Sequence, residues 1–220
     1  IVYRREDDGN SKQALSLKKD SGVILDGIMT GSIRLAFPES PGPELLFSCL
    51  VQEGDYQRRL FERFDLATGE KILSVKDPLA ATSVVMAPDG KGFWTAGSDG
   101  VLHEYDAATL TPRQSKRAHD RDITCLAVAP DGSLIATGDN RGLVRFWRTS
   151  PGSPPEFLSE LAESATIHAL DFSPSGDRLS LRMGNQIRII DVEQIESKWA
   201  AFQKVASGVI ADGNYEPTGE

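Results

Sequence analysis

Residues 118–148 read AHDRDITCLAVAPDGSLIATGDNRGLVRFWR. Two apolar-rich runs, Ile123 to Ala129 and Ser133 to Thr137, flank Pro130-Asp131-Gly132. Proline presets φ, aspartate bonds nearby backbone and glycine accepts positive φ, so the tripeptide reads as a tight turn. Gly138 to Gly142 makes a second turn, and Leu143 to Trp147 follows as a third short strand. Pro151 to Pro155 is expected to break the chain before a fourth strand at Glu156 to Leu161.

The pattern recurs on both sides. An aromatic or apolar residue followed by a charged one falls at Phe64-Asp65, Tyr105-Asp106, Trp147-Arg148 and Ile190-Asp191, spaced 41, 42 and 43 residues apart. Pro88-Asp89-Gly90, Pro130-Asp131-Gly132 and Pro174-Ser175-Gly176 keep the same phase, 42 and 44 apart, and Pro38 is a looser fourth member. Two markers at one period define an internal repeat, and many short strands with regular turns define an all-β chain. A unit of about 40–45 residues with four strands is a propeller blade. The expected architecture is therefore a set of four-stranded antiparallel blades: a half blade at 1–20, then blades near 31–76, 81–117, 119–161 and 163–191. Val192, Ile195, Trp199, Phe202 and Val205 have helical spacing and predict an amphipathic helix over 192–206, followed by a polar tail at 207–220.

Composition narrows the function. The 220 residues include 24 basic and 32 acidic side chains, a net charge of −8, with 40% hydrophobic residues. That balance is ordinary for a globular chain and argues against a general nucleic-acid binder, which needs a basic face. No apolar run approaches the roughly 18 residues of a membrane span. Cys49 and Cys125 cannot form a disulfide framework. A cytoplasmic protein, with neither nucleic acid nor membrane as partner, is the expectation.

On Ala118-His119, Pro130-Asp131-Gly132 and Trp147-Arg148 the chain resembles the WD-repeat β-propellers, and Ser98-Asp99-Gly100 with Tyr105-Asp106 resembles that family's turn and closing dipeptide. The resemblance implies a propeller of about seven blades, of which this chain would be the C-terminal four and a half, an incomplete ring open to upstream blades or to self-association. It also implies a hydrogen-bonded set of His, Ser or Thr, turn Asp and Trp within a blade. Here His119, Thr137 and Trp147 match, and the Asp position falls on Arg141, so that set is expected to be incomplete. Trp147, Tyr105, Phe64, Ile190 and Thr137 are the expected structural positions.

No catalytic constellation is visible. His103, His119 and His168 lie in three different units without convergent spacing, so no metal site is expected. There is no Gly-x-Ser-x-Gly elbow, and Gly90-Lys91-Gly92 lacks the rest of a phosphate-binding loop. No cofactor is expected either. Between Arg113 and Arg148, however, seven basic residues stand against four acidic ones, a local +3. The leading reading is a non-catalytic scaffold that binds a protein or peptide partner through loops. Its expected contact set is Asp99, His119, Asp120, Arg121, Asn140, Arg141 and Asn185. The alternative is the propeller portion of a larger enzyme, such as a Ser/Thr kinase or a propeller-capped peptidase, with the catalytic domain upstream.

Overall fold

The computed structural model describes residues 2–7, 13–19, 22–36, 44–53, 56–65, 67–77, 81–195 and 197. Three sheets follow the sequence repeat. Strands β7 (Ala81–Met86), β8 (Gly92–Gly97), β9 (Val101–Asp106) and β10 (Pro112–Arg117) form one antiparallel sheet in chain order. Strands β11 (Ile123–Val128), β12 (Leu134–Asp139), β13 (Leu143–Ser150) and β14 (Ser153–Ala162) form the next. Strands β15 (Ile167–Phe172), β16 (Arg178–Met183) and β17 (Gln186–Asp191) form a third sheet of three strands.

The first six strands depart from the expected half blade and separate blade. β1 (Val2–Asp7), β2 (Gln13–Lys19), β3 (Gly22–Ala36), β4 (Glu44–Glu53), β5 (Tyr56–Asp65) and β6 (Lys71–Asp77) make one continuous sheet. β3 is the joint: its first part pairs with β2, its last part with β4. Residues 22–36 contain no proline and are rich in Val, Ile, Leu and Met, so nothing stops the strand. The register breaks between Thr30 and Arg34, where Gly31 permits the irregularity.

A second departure is at β14. Pro154 and Pro155 lie inside the strand instead of before it. β14 is the edge of its sheet, where a missing N–H removes no ladder bond on the solvent side.

The Pro-centred turns close as their composition demands. Gly90, Gly132 and Gly176 have φ of 64°, 74° and 76°, and their N–H groups donate to Ala87, Ala129 and Ser173 at 2.8–2.9 Å. Neighbouring turns also abut. A Cβ placed on Gly132 would stand 3.7 Å from Pro88 Cδ, and one on Gly176 would stand 3.5 Å from Pro130 Cδ.

Among the described residues, successive sheets pack face to face through three apolar layers. Phe61, Phe93 and Tyr105 anchor the first, with Phe93 and Tyr105 stacked at 5.2 Å and 9°. Trp94, Leu126, Ile135 and Trp147 belong to the second. Phe146, Leu158, Ile167, Leu179 and Leu181 belong to the third, to which Val192 and Ile195 add the start of a helical turn. The first strands lie innermost and touch in order, β3 to β7, β7 to β11 and β11 to β15. Threonines at their starts tie sheet to sheet: Thr82 Oγ1 donates to the Ile123 carbonyl at 2.6 Å, and Thr124 Oγ1 to the Ile167 carbonyl. Among the described residues the sheets do not close into a ring. The rest of the expected 192–206 helix, with Trp199 and Phe202, and the 207–220 tail lie outside the described residues. Among the described residues no helix is long and apolar enough to cross a membrane.

Candidate interaction surface

The β11–β14 blade is organised by a buried polar chain, which corrects the expectation of an incomplete set. Trp147 Nε1 donates to Thr137 Oγ1 at 2.9 Å. Thr137 Oγ1 lies 2.8 Å from His119 Nε2, and His119 Nδ1 lies 3.2 Å from Asp139 Oδ2. All four residues are buried. The acid is Asp139, two residues before Arg141. Its Oδ1 accepts the N–H groups of Arg141 and Leu143, both at 2.9 Å, and so closes the turn while Oδ2 takes the imidazole. A carboxylate only accepts, so Nδ1 carries the proton and Nε2 accepts from the threonine hydroxyl. Burial pushes the His119 imidazole below its ordinary value, against the pull of Asp139, which keeps the ring neutral.

His119 is therefore a part of the blade's interior and leaves the expected contact set. Thr137 and Trp147 hold it in place. Tyr105 is buried in the first apolar layer, Phe64 is buried, and Ile190 is half-buried.

The loops above this chain converge. Asn140 N donates to the Asp122 carbonyl at 3.2 Å, joining the 138–142 turn to the 118–122 loop. Gly100 sits so close under the carbonyls of His119 and Arg121 that a Cβ there would collide with the first of them. Ala118 and His119 both donate to the Gly100 carbonyl at 2.9 Å. Thr166 Oγ1 donates to the Asn140 carbonyl at 2.8 Å, bringing in the loop before β15. Segments 98–100, 118–122, 138–142 and 163–166 thus form one surface.

On that surface the charges sort by whether they are already satisfied. Asp99 is half-buried; its Oδ2 lies 2.9 Å from His103 Nε2 and its Oδ1 accepts from Val101 N. Burial acts to raise the Asp99 carboxyl, but the His103 and Val101 hydrogen bonds outweigh it and hold it below its ordinary value. Asp120 is exposed, 3.8 Å from Arg117. Arg145 donates to the Ala118 carbonyl at 2.7 Å and to Glu160 at 3.1 Å. Arg113 is held by Glu104 and Asp106. Arg121 and Arg141 are exposed, and no described carboxylate pairs with either. Asn140 is exposed beside them. Asn185 is exposed at the tip of the β16–β17 turn, and no described contact joins it to the Arg141 turn.

Among the described residues no group of three His, Cys, Asp or Glu side chains is placed to hold a metal ion. Burial pushes the Cys125 thiol up to about 11, so it is a neutral core residue, not a nucleophile.

Four-stranded antiparallel sheets stacked in order, with a His–Thr–Trp–Asp chain inside one of them, are the arrangement of WD-repeat β-propeller blades. The WD domain, G-beta repeat family matches residues 110–148, the stretch that holds that chain. The serine-threonine kinase receptor-associated protein of Gallus gallus is 33% identical over 108 residues, 45% of this chain and 31% of that protein. The small ribosomal subunit protein RACK1 of Schizosaccharomyces pombe is 34% identical over 91 residues, 41% of this chain and 28% of that protein. Protein groucho of Drosophila melanogaster is 28% identical over 106 residues, 48% of this chain and 14% of that protein. The chain spans about three-tenths of the length of the first two relatives it matches. Over the matched stretch the chain is similar to WD-repeat proteins, and its stacked four-stranded sheets are those of β-propeller blades.

Proposed function

We propose that the chain is a non-catalytic protein–protein interaction scaffold, and that a partner docks on the loops carrying Arg121 and Arg141. The observation that carries this reading is the contrast among arginines. Arg113 and Arg145 have carboxylate partners in the fold, whereas Arg121 and Arg141, exposed on two loops that are hydrogen-bonded together, have none among the described residues. A planar guanidinium offers paired donors to a carboxylate or phosphate, so an acidic or phosphorylated segment is the matching partner chemistry. Asp120 and Asn140 would frame the contact, and Asn185 stands at its margin. The names of two relatives, a receptor-associated protein and a ribosomal subunit protein, describe association with other proteins and agree with this reading. The enzyme-linked alternative finds no support in the family match or the relatives reported above.

The test is the double substitution Arg121→Ala with Arg141→Ala. Exposed changes of this kind move stability by less than about 0.5 kcal/mol. Pull-down from a native lysate with the unsubstituted chain should recover at least one partner that the double variant loses. Equal recovery of every partner, with the fold verified, places the binding surface elsewhere.

A further inference from the structure

At the opposite end of the strands, the β7–β10 and β11–β14 sheets part to leave a groove of about 530 Å³. Its lining includes Trp94 and Val128, the two Pro-Asp-Gly turns, Glu104 with Arg113 and Gln114, and the 149–153 turn. Three features of the groove are unspent. Trp94 is only 5% exposed, yet no described residue accepts its indole N–H, and that N–H is not sealed from solvent. A donor so placed is open to an incoming acceptor. Asp89 and Asp131 sit on turns that abut, and each uses Oδ1 to hold its own turn, accepting from Lys91 N and from Ser133 N at 3.0 Å. Their Oδ2 atoms make no described hydrogen bond or ion pair. Arg113, the one cation lining the groove, is already fixed by Glu104, Asp106 and the Lys91 carbonyl. Glu104 spends its second oxygen on Gln114. The groove therefore presents two free carboxylate edges and one free donor.

The next cleft, about 660 Å³ between the β11–β14 and β15–β17 sheets, lacks this set. Ala136 stands 42 residues after Trp94, and Asp177 and Asp191 there face Arg178 at 4.0 and 3.8 Å.

We propose that the Trp94 groove binds an extended, lysine- or arginine-bearing segment of a partner protein, with the cationic head between Asp89 and Asp131 and a peptide carbonyl on the Trp94 indole N–H. The recognition is opposite in sign to that of the Arg121–Arg141 loops and lies at the other end of the strands, so each stands or falls separately.

The test is titration of the 220-residue chain by NMR with acetylated, amidated pentapeptides: Ala-Ala-Arg-Ala-Ala, Ala-Ala-Lys-Ala-Ala and Ala-Ala-Glu-Ala-Ala. The Trp94 indole signal and the Gly132 and Ser153 amides are followed. The arginine and lysine peptides should move all three with one saturating curve, and the glutamate peptide should move none. Asp89→Asn with Asp131→Asn, both exposed and outside the core, should weaken binding at least fivefold. Trp94→Phe should weaken it at least threefold as read from the amides. Equal shifts with the glutamate peptide, no shift of the Trp94 indole, or unchanged affinity in the double variant would overturn the proposal. So would a concentration-dependent shift of the same signals without peptide, which would mark a second copy of the chain as the occupant.

Discussion

The β7–β10 and β11–β14 sheets are neighbours built on one sequence plan, yet they solve the same interior problem differently. In β11–β14, Thr137 sits in the middle of a buried chain running from Trp147 to His119 to Asp139. In β7–β10 the matching threonine is Thr95, fully buried, and its hydroxyl has no hydrogen-bond partner among the described residues. The cause lies in three positions, each 42 residues upstream. Tyr105 replaces Trp147, Gly97 replaces Asp139 and Asp77 replaces His119. What the sheet lacks in polar bonds it recovers through rings, since Phe61, Phe93 and Tyr105 meet at 5.0–5.4 Å. The third sheet completes the series: Leu181 and Met183 stand where Thr137 and Asp139 would be, and both are buried. One backbone plan thus tolerates a satisfied polar interior, a half-dismantled one and an apolar one. The dismantled version is the one that carries an unmet cost.

The largest expected effect tests the satisfied blade. Trp147 is buried to 2% and packs on the second apolar layer, so Trp147→Ala should cost about 3–5 kcal/mol. Thr137→Val keeps the shape but strands the Trp147 N–H and one face of His119, and should cost about 1–3 kcal/mol. Urea unfolding followed by circular dichroism reads both. If Trp147→Ala moves the transition only marginally, the indole is not the keystone its position implies.

Much of this difference was written in the chain and some of it was not. The spacings of Pro88, Pro130 and Pro174, 42 and 44 residues, and the 42 residues from Tyr105 to Trp147 were enough to place the first three strands of each of the last three sheets, because turn chemistry and strand period are local. Asp139 was missed because spacing alone put the acid at Arg141. A carboxylate can close this turn from either place: Asp99 does so two residues before Val101, and Asp139 four residues before Leu143. Which imidazole it then meets, His103 or His119, depends on how adjoining loops pack. His119 was read both as a member of the internal set and as a contact residue, since the local sequence Ala118-His119-Asp120 does not say whether the imidazole turns inward. The free state of Arg121 and Arg141 depends equally on where Glu104, Asp106 and Glu160 fall in space, and no local pattern reports that.

Acid separates the two blades by window: both lose stability as pH falls, but over different ranges. His119 titrates below its ordinary value of 6.5 because burial disfavours the imidazolium. The unfolded chain therefore binds the proton first, and folding stability falls as pH drops through about 6.5 until the folded ring also protonates. Asp99 in the neighbouring blade is shifted downward from 3.8, so its contribution is intact above that value and is lost only at lower pH. Hydrogen exchange at pH 7, 5.5 and 4.5 should show β11–β14 amides losing protection first. In His119→Gln the early loss should vanish. Equal loss of protection in β7–β10 over the same range would mean that the imidazole does not govern the difference.

The smallest effect is the sharpest test of the comparison. Thr95 and Thr137 occupy matching positions in matching strands, and both are fully buried. If the two blades differed only in degree, replacing either hydroxyl by a methyl would be destabilising. The structure sets them apart in kind. Thr95→Val removes a desolvated hydroxyl that bonds to nothing among the described residues and substitutes a group of the same shape. The penalty of an unpaired buried hydroxyl, about 1–3 kcal/mol, then disappears with it, while no hydrogen bond is lost. Part of that gain is offset because the methyl that replaces the hydroxyl is slightly larger and must fit the same closed space. The net expectation is a change from zero to about 1 kcal/mol of stabilisation, opposite in sign to Thr137→Val. Measured side by side in urea, the two variants should bracket the parent chain. A loss of more than about 1 kcal/mol in Thr95→Val would show that its hydroxyl is bonded after all, and the contrast between the blades would reduce to a difference in partners.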